Sequence, residues 1–428
     1  MRLAVIDNVI YLQIIPHSLY RSTPITKQTL TRRFPDLFLL DDLSESSQSD
    51  DENESVSSKL ERLKNSYPDH VSSIEAAIIE AVDYLSQFRA DNIVHDAEQI
   101  KEALLMPQTT STEPRPWGAA LGQSYGGFCV MSYLSLIPHP PSVCLLTGGI
   151  APMCTPVHEV YSSLAKRVKE RNLLYYKRYP EDAKLVKRLV QRLLAMPATL
   201  PSGGKLTARR FLQLGMHLGG TPSSFASLHA TLATAFLDDE SQELSKAFLR
   251  HLDSVQPFDD HPIYFLLHES IYADANGPAN WAAHSVLQKS PEWDFSQTVA
   301  NPDQPTLFLG EMVFPWMAKG DYAECSGLGF EALANGLAIK DDWTALFNTE
   351  NMRRTLESGH TVAAAAVYTD DMYVDYDACR MVTQPGGPLE ECKLYITNEY
   401  QHSGLRDDGA AIFTKLYGMA LGSVGVPS

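Results

Sequence analysis

The chain has 428 residues, of which 44% are hydrophobic and 20% are charged, so disorder along its whole length is excluded. It carries 35 Lys and Arg against 52 Asp and Glu, a formal charge of -17. A nucleic-acid or membrane partner is therefore disfavoured, because both need a basic surface. The length fits two to three domains, or one large fold with an insertion.

The cysteines and the apolar segments indicate an intracellular chain. Six cysteines without a C-x-x-C pair favour reduced thiols over a disulfide framework or a zinc site. The sequence contains no run of eighteen apolar residues, so no transmembrane helix is predicted. A secretory signal needs an uninterrupted apolar segment near the start of the chain, and Asp7 and Asn8 interrupt it. We therefore expect a cytoplasmic protein.

The first half of the chain alternates between helical and extended patterns. Residues 41–57 hold seven acidic residues and no basic one, which predicts a disordered acidic loop. Apolar spacing then predicts two helices within 74–104, a short strand over 117–121, a helix over 127–138 and a buried strand over 142–149. This order is typical of a parallel α/β sheet.

Between residues 155 and 355 the pattern changes to charged helices without strand alternation. From Thr361 the α/β pattern returns, with strands in TVAAAAVYTDD and KLYITNEYQHSG and a helix in DDGAAIFTKLYGMALG. We therefore predict one α/β domain, formed by 1–154 and 356–428, which a helical cap over 155–355 interrupts.

Gly122-Gln123-Ser124-Tyr125-Gly126 matches G-x-S-x-G, in which small residues allow a strained turn to expose the Ser hydroxyl. The match lies between a predicted strand and a predicted helix, as that turn requires; an incidental Ser in a Gly-rich turn is the alternative. A Ser nucleophile needs a base and a group that orients the base. Asp370, Asp371 and His402 follow late strands in the required order, Ser, acid, His.

Several segments together resemble one enzyme family: FRADNIVHDAE, GQSYGGFCVMSYLS, LLTGGIAP, GEMVFPWM, VYTDDMYVD and TNEYQHSGLRDDG. Over residues 85–420 the chain is similar to the proline iminopeptidase (prolyl aminopeptidase) family of α/β-hydrolases. The resemblance implies a mostly parallel sheet with a helical cap inserted before the acid-bearing strand. It implies Ser124 as nucleophile, His402 as base and Asp370 as acid, with Asp371 as a neighbouring carboxylate, and it requires no metal or organic cofactor.

The resemblance also implies peptide substrates with an N-terminal proline, whose charged amine is best recognised by buried carboxylates. Glu269 in LLHESIY and Glu311 in GEMVFPWM are the candidates, and we expect at least one to bind the amine. Tyr272, Phe314 or Trp316 would form an apolar wall for the proline ring. A homo-oligomer is left open.

The oxyanion site is where the chain departs from the family. One donor would be the backbone N–H of Tyr125 and the other an N–H of an early loop. The family's H/Q-G-G-P-G and D-Q-R-G segments are absent, and VIYLQ at 9–13 is followed by IIPHS. Amino-terminal strands of the family are also expected to be missing.

Two explanations stay open for this departure: an incomplete gene model with an intact enzyme in the cell, which we favour, or a degenerate, catalytically impaired homologue. Another serine hydrolase of the same fold, an esterase or amidase, is a further alternative. An epoxide hydrolase is disfavoured, because it would need Asp at position 124.

Overall fold

A six-stranded sheet forms the centre of the structure, a computed structural model that describes residues 2–6, 9–13, 25–45, 55–105, 116–153, 155–238, 241–256 and 258–425. The strand order is β1-β2-β3-β4-β7-β8, and β5 and β6 form a separate short pair. The strands are β1 Arg2–Ile6, β2 Val9–Gln13, β3 Ala119–Gln123, β4 Val143–Thr147, β5 Ala198–Thr199, β6 Lys205–Leu206, β7 Val362–Tyr368 and β8 Lys393–Thr397.

The main sheet is mostly parallel, as predicted. β1 pairs with β2 in the antiparallel direction, and the other neighbouring pairs are parallel. In the register, Gln123 lies opposite Thr147, and Tyr368 lies opposite Thr397. The carboxyl ends of β3, β4, β7 and β8 therefore meet at one edge, which is where ligands bind in open α/β sheets.

Helices connect and cover the strands. They are α1 Lys27–Arg33, α2 Pro35–Glu45, α3 Val56–Ser66, α4 Pro68–Ser86, α5 Ala90–Leu105, α6 Tyr125–Leu136, α7 Val157–Arg178, α8 Asp182–Ala195, α9 Ala208–Leu212, α10 Ser224–Ala233, α11 Lys246–Val255, α12 Pro262–Leu267, α13 Ala282–Gln288, α14 Phe295–Thr298, α15 Leu328–Ile339, α16 Thr349–Glu357, α17 Tyr376–Thr383, α18 Gly404–Asp407 and α19 Gly409–Ala420. Helices α7 to α16 separate β4 from β7 in the chain, and they form the helical insertion. No helix among the described residues is long and apolar enough to cross a membrane.

The central strands are buried on both faces, which explains their nearly continuous apolar sequences. In β7, Ala363 and Ala365 belong to a core with residues of α5, α6, α16 and α17. Ala364 and Ala366 belong to a second core, on the other face, with residues of α19. The small alanine side chains leave room for helices on both faces of β7.

The structure corrects the prediction of a disordered loop over 41–57 at both ends of this range. Residues 41–45 continue α2, and Ser55 caps α3; residues 46–54 lie outside the described part of the chain. Asp41 accepts a hydrogen bond from the Gly329 N–H at 3.0 Å, in the first turn of α15. A carboxylate at a helix N-terminus is favourable, so this acidic residue has a tertiary role that composition does not reveal.

The helices do not follow the expected boundaries of the insertion closely. Helices α2 and α4 pack against α15, within the core of the helical insertion. The expected boundary at 355 and 356 falls inside α16, whose Met352 and Leu356 pack in the core under the sheet.

Candidate active site

Ser124 occupies a strained turn between β3 and α6. Its φ of 56° and ψ of -129° are rare for a residue with a Cβ, and such strain is common at functional sites. The Ser124 N–H donates to the Thr147 carbonyl at 3.0 Å, and the Gly127 N–H donates to the Ser124 carbonyl at 2.7 Å. The strand-to-helix turn predicted from G-x-S-x-G is therefore present.

Glycines around Ser124 permit this turn. Backbone segments pass so close to Gly122 and Gly149 that a side chain at either position would overlap them. A Cβ on Gly122 would lie 2.2 Å from the Gly126 carbonyl oxygen. A Cβ on Gly149, after β4, would lie 2.4 Å from the Ser124 carbonyl oxygen. The backbone at the end of β4 thus supports Ser124 directly.

Gly149→Ala is expected to destabilise the protein by about 1–3 kcal/mol, because the added methyl group overlaps backbone that cannot move without distorting the turn. Urea unfolding measures the difference. Gly409→Ala is the matched control, since its nearest neighbour would be 4.0 Å away and Ala favours the start of α19. Equal stabilities of the two variants would contradict the close approach.

His402 joins Ser124 to a carboxylate. Its Nε2 lies 2.9 Å from Ser124 Oγ, and its Nδ1 lies 2.7 Å from Asp371 Oδ2. The prediction of Asp370 as the acid is wrong in the structure, since Asp370 is exposed and Asp371 is only 1% exposed. The N–H groups of Tyr373 and Val374 donate to Asp371 Oδ1 at 2.8 and 3.1 Å, which fixes the carboxylate toward His402.

The environment of His402 favours a protonated imidazole. Burial opposes the charge, but the charge and hydrogen bond of Asp371 and the charge of Glu311 outweigh it, so the pKa of His402 is raised above its ordinary value. Asp371 can therefore stabilise the imidazolium that forms when His402 takes a proton.

Tyr125 follows Ser124 and is the first residue of α6. The first N–H groups of a helix have no acceptor in a preceding turn, and no acceptor for the Tyr125 N–H is found among the described residues. The residues that follow β2, where the second donor was expected, lie outside the described part of the chain.

Glu269 is buried in the helical insertion, and Glu311 is half-buried there. Glu269 is 6% exposed and accepts hydrogen bonds from the Ala282 and Ala283 N–H groups, each at 3.0 Å. Burial raises the pKa of Glu269 to about 7, although these N–H groups oppose the shift. Glu311 accepts a hydrogen bond from the Tyr264 hydroxyl.

The charges of both glutamates affect the same two tyrosines, Tyr161 and Tyr272. Burial raises the pKa values of Tyr161 and Tyr272, and the charges of Glu269 and Glu311 raise them further. The rings of Tyr161 and Tyr272 meet edge to face at 5.7 Å, and Tyr272 also contacts Phe128 of α6 at 6.0 Å. This group therefore lies beside the helix that begins after Ser124.

The other predicted aromatic residues have different surroundings. Phe314 and Trp316 stack at 5.3 Å, Phe314 contacts the His284 ring at 6.3 Å, and Arg209 lies over Trp316. None of these contacts is to Ser124 or His402, whereas Tyr272 lies in the field of Asp371 as well as of the glutamates. Tyr272 therefore lies beside α6, the helix that begins after Ser124.

One group among the described residues has the composition of a metal site: Glu181, Asp182 and His229. Asp182 already accepts hydrogen bonds from the Tyr175 hydroxyl and from His229 Nδ1, the latter at 3.0 Å. The group lies at the start of α8, away from the carboxyl edge of the sheet, and has no part in the arrangement around Ser124.

Two features near His402 were missed by the sequence analysis. Tyr373 contacts Asp371 and His402, and the backbone of Gly219 and Gly220 accepts hydrogen bonds from the loop that carries His402. The Gly-Gly pair was a possible signal of close backbone approach, but nothing in the sequence indicated its partner.

Comparisons with known proteins agree with this architecture. The chain is 36% identical over 337 residues to a proline iminopeptidase of Aeromonas sobria, which covers 79% of this chain and 73% of that protein. It is 28% identical over 338 residues to the proline iminopeptidase aneH of Aspergillus aculeatus, covering 79% and 71%. No family model matches the chain.

The mostly parallel sheet and these relatives define an α/β-hydrolase, and the chain is an enzyme of the hydrolase class. The chain belongs to the proline iminopeptidase family.

Proposed function

We propose that this enzyme releases N-terminal proline from peptides by acyl transfer through Ser124, His402 and Asp371. The observation that carries the proposal is the position of His402, within hydrogen-bond distance of both Ser124 Oγ and Asp371 Oδ2. The names of the two relatives support proline as the residue released.

The proposed reaction has two stages. His402 Nε2 takes the Ser124 proton while Ser124 Oγ attacks the prolyl carbonyl, and Asp371 stabilises the imidazolium. The peptide amine then leaves with that proton, so an acyl bond joins proline to Ser124. A water molecule, deprotonated by His402, releases proline in the second stage. The Tyr125 N–H donates to the oxyanion in both stages.

Glu269 and Glu311 are proposed to bind the substrate amine. Neither carboxylate forms an ion pair within 4.0 Å in the described part of the chain, although Arg406 lies in the field of Glu311. The buried hydroxyl of Tyr161, in the field of both, also has no hydrogen-bond partner among the described residues. A prolyl ammonium would supply the missing positive charge and a donor.

Glu311→Gln and Glu269→Gln are each expected to lower kcat/KM for a proline arylamide by about 10- to 100-fold, the effect of losing one hydrogen bond to a charged group. Hydrolysis of a small acetate ester should not change, because this substrate has no amine. Steady-state kinetics on both substrates provide the measurement.

Glu331→Gln is the matched control, because Glu331 is also buried in the helical insertion but pairs with Lys319 at 3.5 Å. It should leave both activities unchanged. If neither test variant loses tenfold on the arylamide, or if ester hydrolysis falls equally, the assignment of the amine site is wrong.

The helical insertion is proposed to act as a cap. Both candidate amine ligands come from it, and its backbone at Gly219 and Gly220 bonds to the loop of His402. An exopeptidase needs such a cover, because the amine must be bound at a fixed distance from the scissile bond.

Incubation of the purified enzyme with proline and alanine arylamides and with an ester tests the proposed function. Faster release from the proline arylamide supports it. Ester hydrolysis without proline release would favour an esterase, and a folded protein inactive on all three would favour an impaired homologue.

A further inference from the structure

Tyr373 makes three contacts at the site, one through its backbone and two through its side chain. Its N–H donates to Asp371 Oδ1 at 2.8 Å. Its ring lies 4.6 Å from the His402 ring at an angle of 40°. Its hydroxyl donates to the Met216 carbonyl in the helical insertion at 2.5 Å. Tyr373 thus contacts the acid through its backbone, and the base and the insertion through its side chain.

The segment 216–220 of the insertion touches the same loops through its backbone. The His402 N–H donates to the Gly219 carbonyl at 3.2 Å, and the Ser403 N–H donates to the Gly220 carbonyl at 3.1 Å. A Cβ on Gly219 would lie 2.9 Å from Tyr373 Cε2, so the segment packs tightly against the tyrosine ring. The position of the base therefore depends on the insertion.

We propose that Tyr373 is a positioning residue, which fixes His402 against Asp371 and couples both to the helical insertion through its hydroxyl. This inference rests on the proposed function, because it assigns His402 as the base. Loss of the hydroxyl would remove one of the hydrogen bonds that hold segment 216–220 against these loops, and loss of the ring would remove the surface against which the imidazole lies.

The ring has a second effect on His402, because an aromatic face stabilises a neighbouring cation. The charged groups that face His402 are Asp371, Glu311 and Arg406; the first two favour the imidazolium and Arg406 disfavours it. Arg171 acts on Tyr373 from α7. Removal of the ring leaves these charges in place, so its contribution can be measured separately.

The rate of Ser124 labelling by a fluorophosphonate, measured against pH, tests the proposal without relying on a proline substrate. Tyr373→Phe keeps the ring and should label roughly fivefold more slowly at every pH, because a loosened base is less often aligned. Tyr373→Leu should be slower still, and its acid limb should move to lower pH by roughly half a unit.

Tyr176→Phe and Tyr176→Leu are the matched controls. The Tyr176 hydroxyl donates to the Thr306 carbonyl at 2.6 Å, also in the insertion, but the residue has no contact with the loops of Asp371 or His402 in the described structure. These variants should keep the wild-type rate and pH profile. They measure the effect of losing a buried tyrosine hydroxyl or ring in the insertion that does not contact Asp371 or His402.

A wild-type rate in Tyr373→Phe would overturn the role of the hydroxyl, and an unchanged acid limb in Tyr373→Leu would overturn that of the ring. If Tyr373→Leu does not fold, the rate of Tyr373→Phe against Tyr176→Phe decides alone. Folded wild-type enzyme that is not labelled would instead overturn the proposed function, and the inference with it.

Discussion

Asp371→Asn is expected to lower kcat for a proline arylamide by about 10⁴-fold, whereas Asp370→Asn should have little effect. The N–H groups of Tyr373 and Val374 would bind the amide oxygen of the new side chain, so its NH₂ group would face His402. Nδ1 would then have to accept a hydrogen bond and Nε2 would carry the proton. In that tautomer His402 cannot take the proton of Ser124.

The pH profile of the same variants gives an independent result. The neutral imidazole is the active form, so the rate falls as pH drops through the pKa of His402, which the Asp371 carboxylate raises. The residual activity of Asp371→Asn should therefore show its acid limb at lower pH than the wild type.

A larger loss of kcat in Asp370→Asn than in Asp371→Asn would contradict the assignment of Asp371 as the acid.

Ser124→Ala is expected to reduce kcat on the order of 10⁶-fold, because Ser124 is the one hydroxyl that contacts His402 Nε2 among the described residues. Stability should change little, since Ala retains the Cβ and therefore the strained φ of 56°. The backbone hydrogen bonds of position 124 to Thr147 and Gly127 are also retained. Proline release at high enzyme concentration and urea unfolding measure the two quantities.

Ser132→Ala is the matched control for this substitution. Ser132 is fully buried in α6, the helix that follows Ser124, and its hydroxyl has no hydrogen-bond partner among the described residues. Its replacement should retain activity. Substantial proline release by Ser124→Ala would show that the reaction uses a different nucleophile or an attacking water.

The sheet strands around the site could be predicted because each is apolar and ends in a polar or glycine-rich turn. The G-x-S-x-G spacing placed Ser124 correctly between β3 and α6, and the strand pattern placed His402 after β8. The choice between Asp370 and Asp371 could not be made in the same way. Adjacent residues after a strand differ only in the direction of their side chains, which the turn after β7 sets.

Tertiary contacts account for the other differences. The acidic run at 41–57 looks solvated in composition, yet Asp41 lies at the start of α15 because that helix packs across α2. The expectation that strands before VIYLQ are missing is wrong in part, because β1 at Arg2–Ile6 precedes β2 and pairs with it in the antiparallel direction. This pairing depends on a neighbouring strand rather than on the pattern of β1 itself. The contacts of Tyr373 join segments 157 residues apart and leave no sequence signal.

The most direct test is to treat the wild-type enzyme with a fluorophosphonate, map the modified residue by mass spectrometry, and follow proline release as labelling proceeds. The account predicts a single adduct, on Ser124, and activity that falls in proportion to it. Full labelling of Ser124 with undiminished proline release, or an adduct on another residue that tracks the loss, would contradict it.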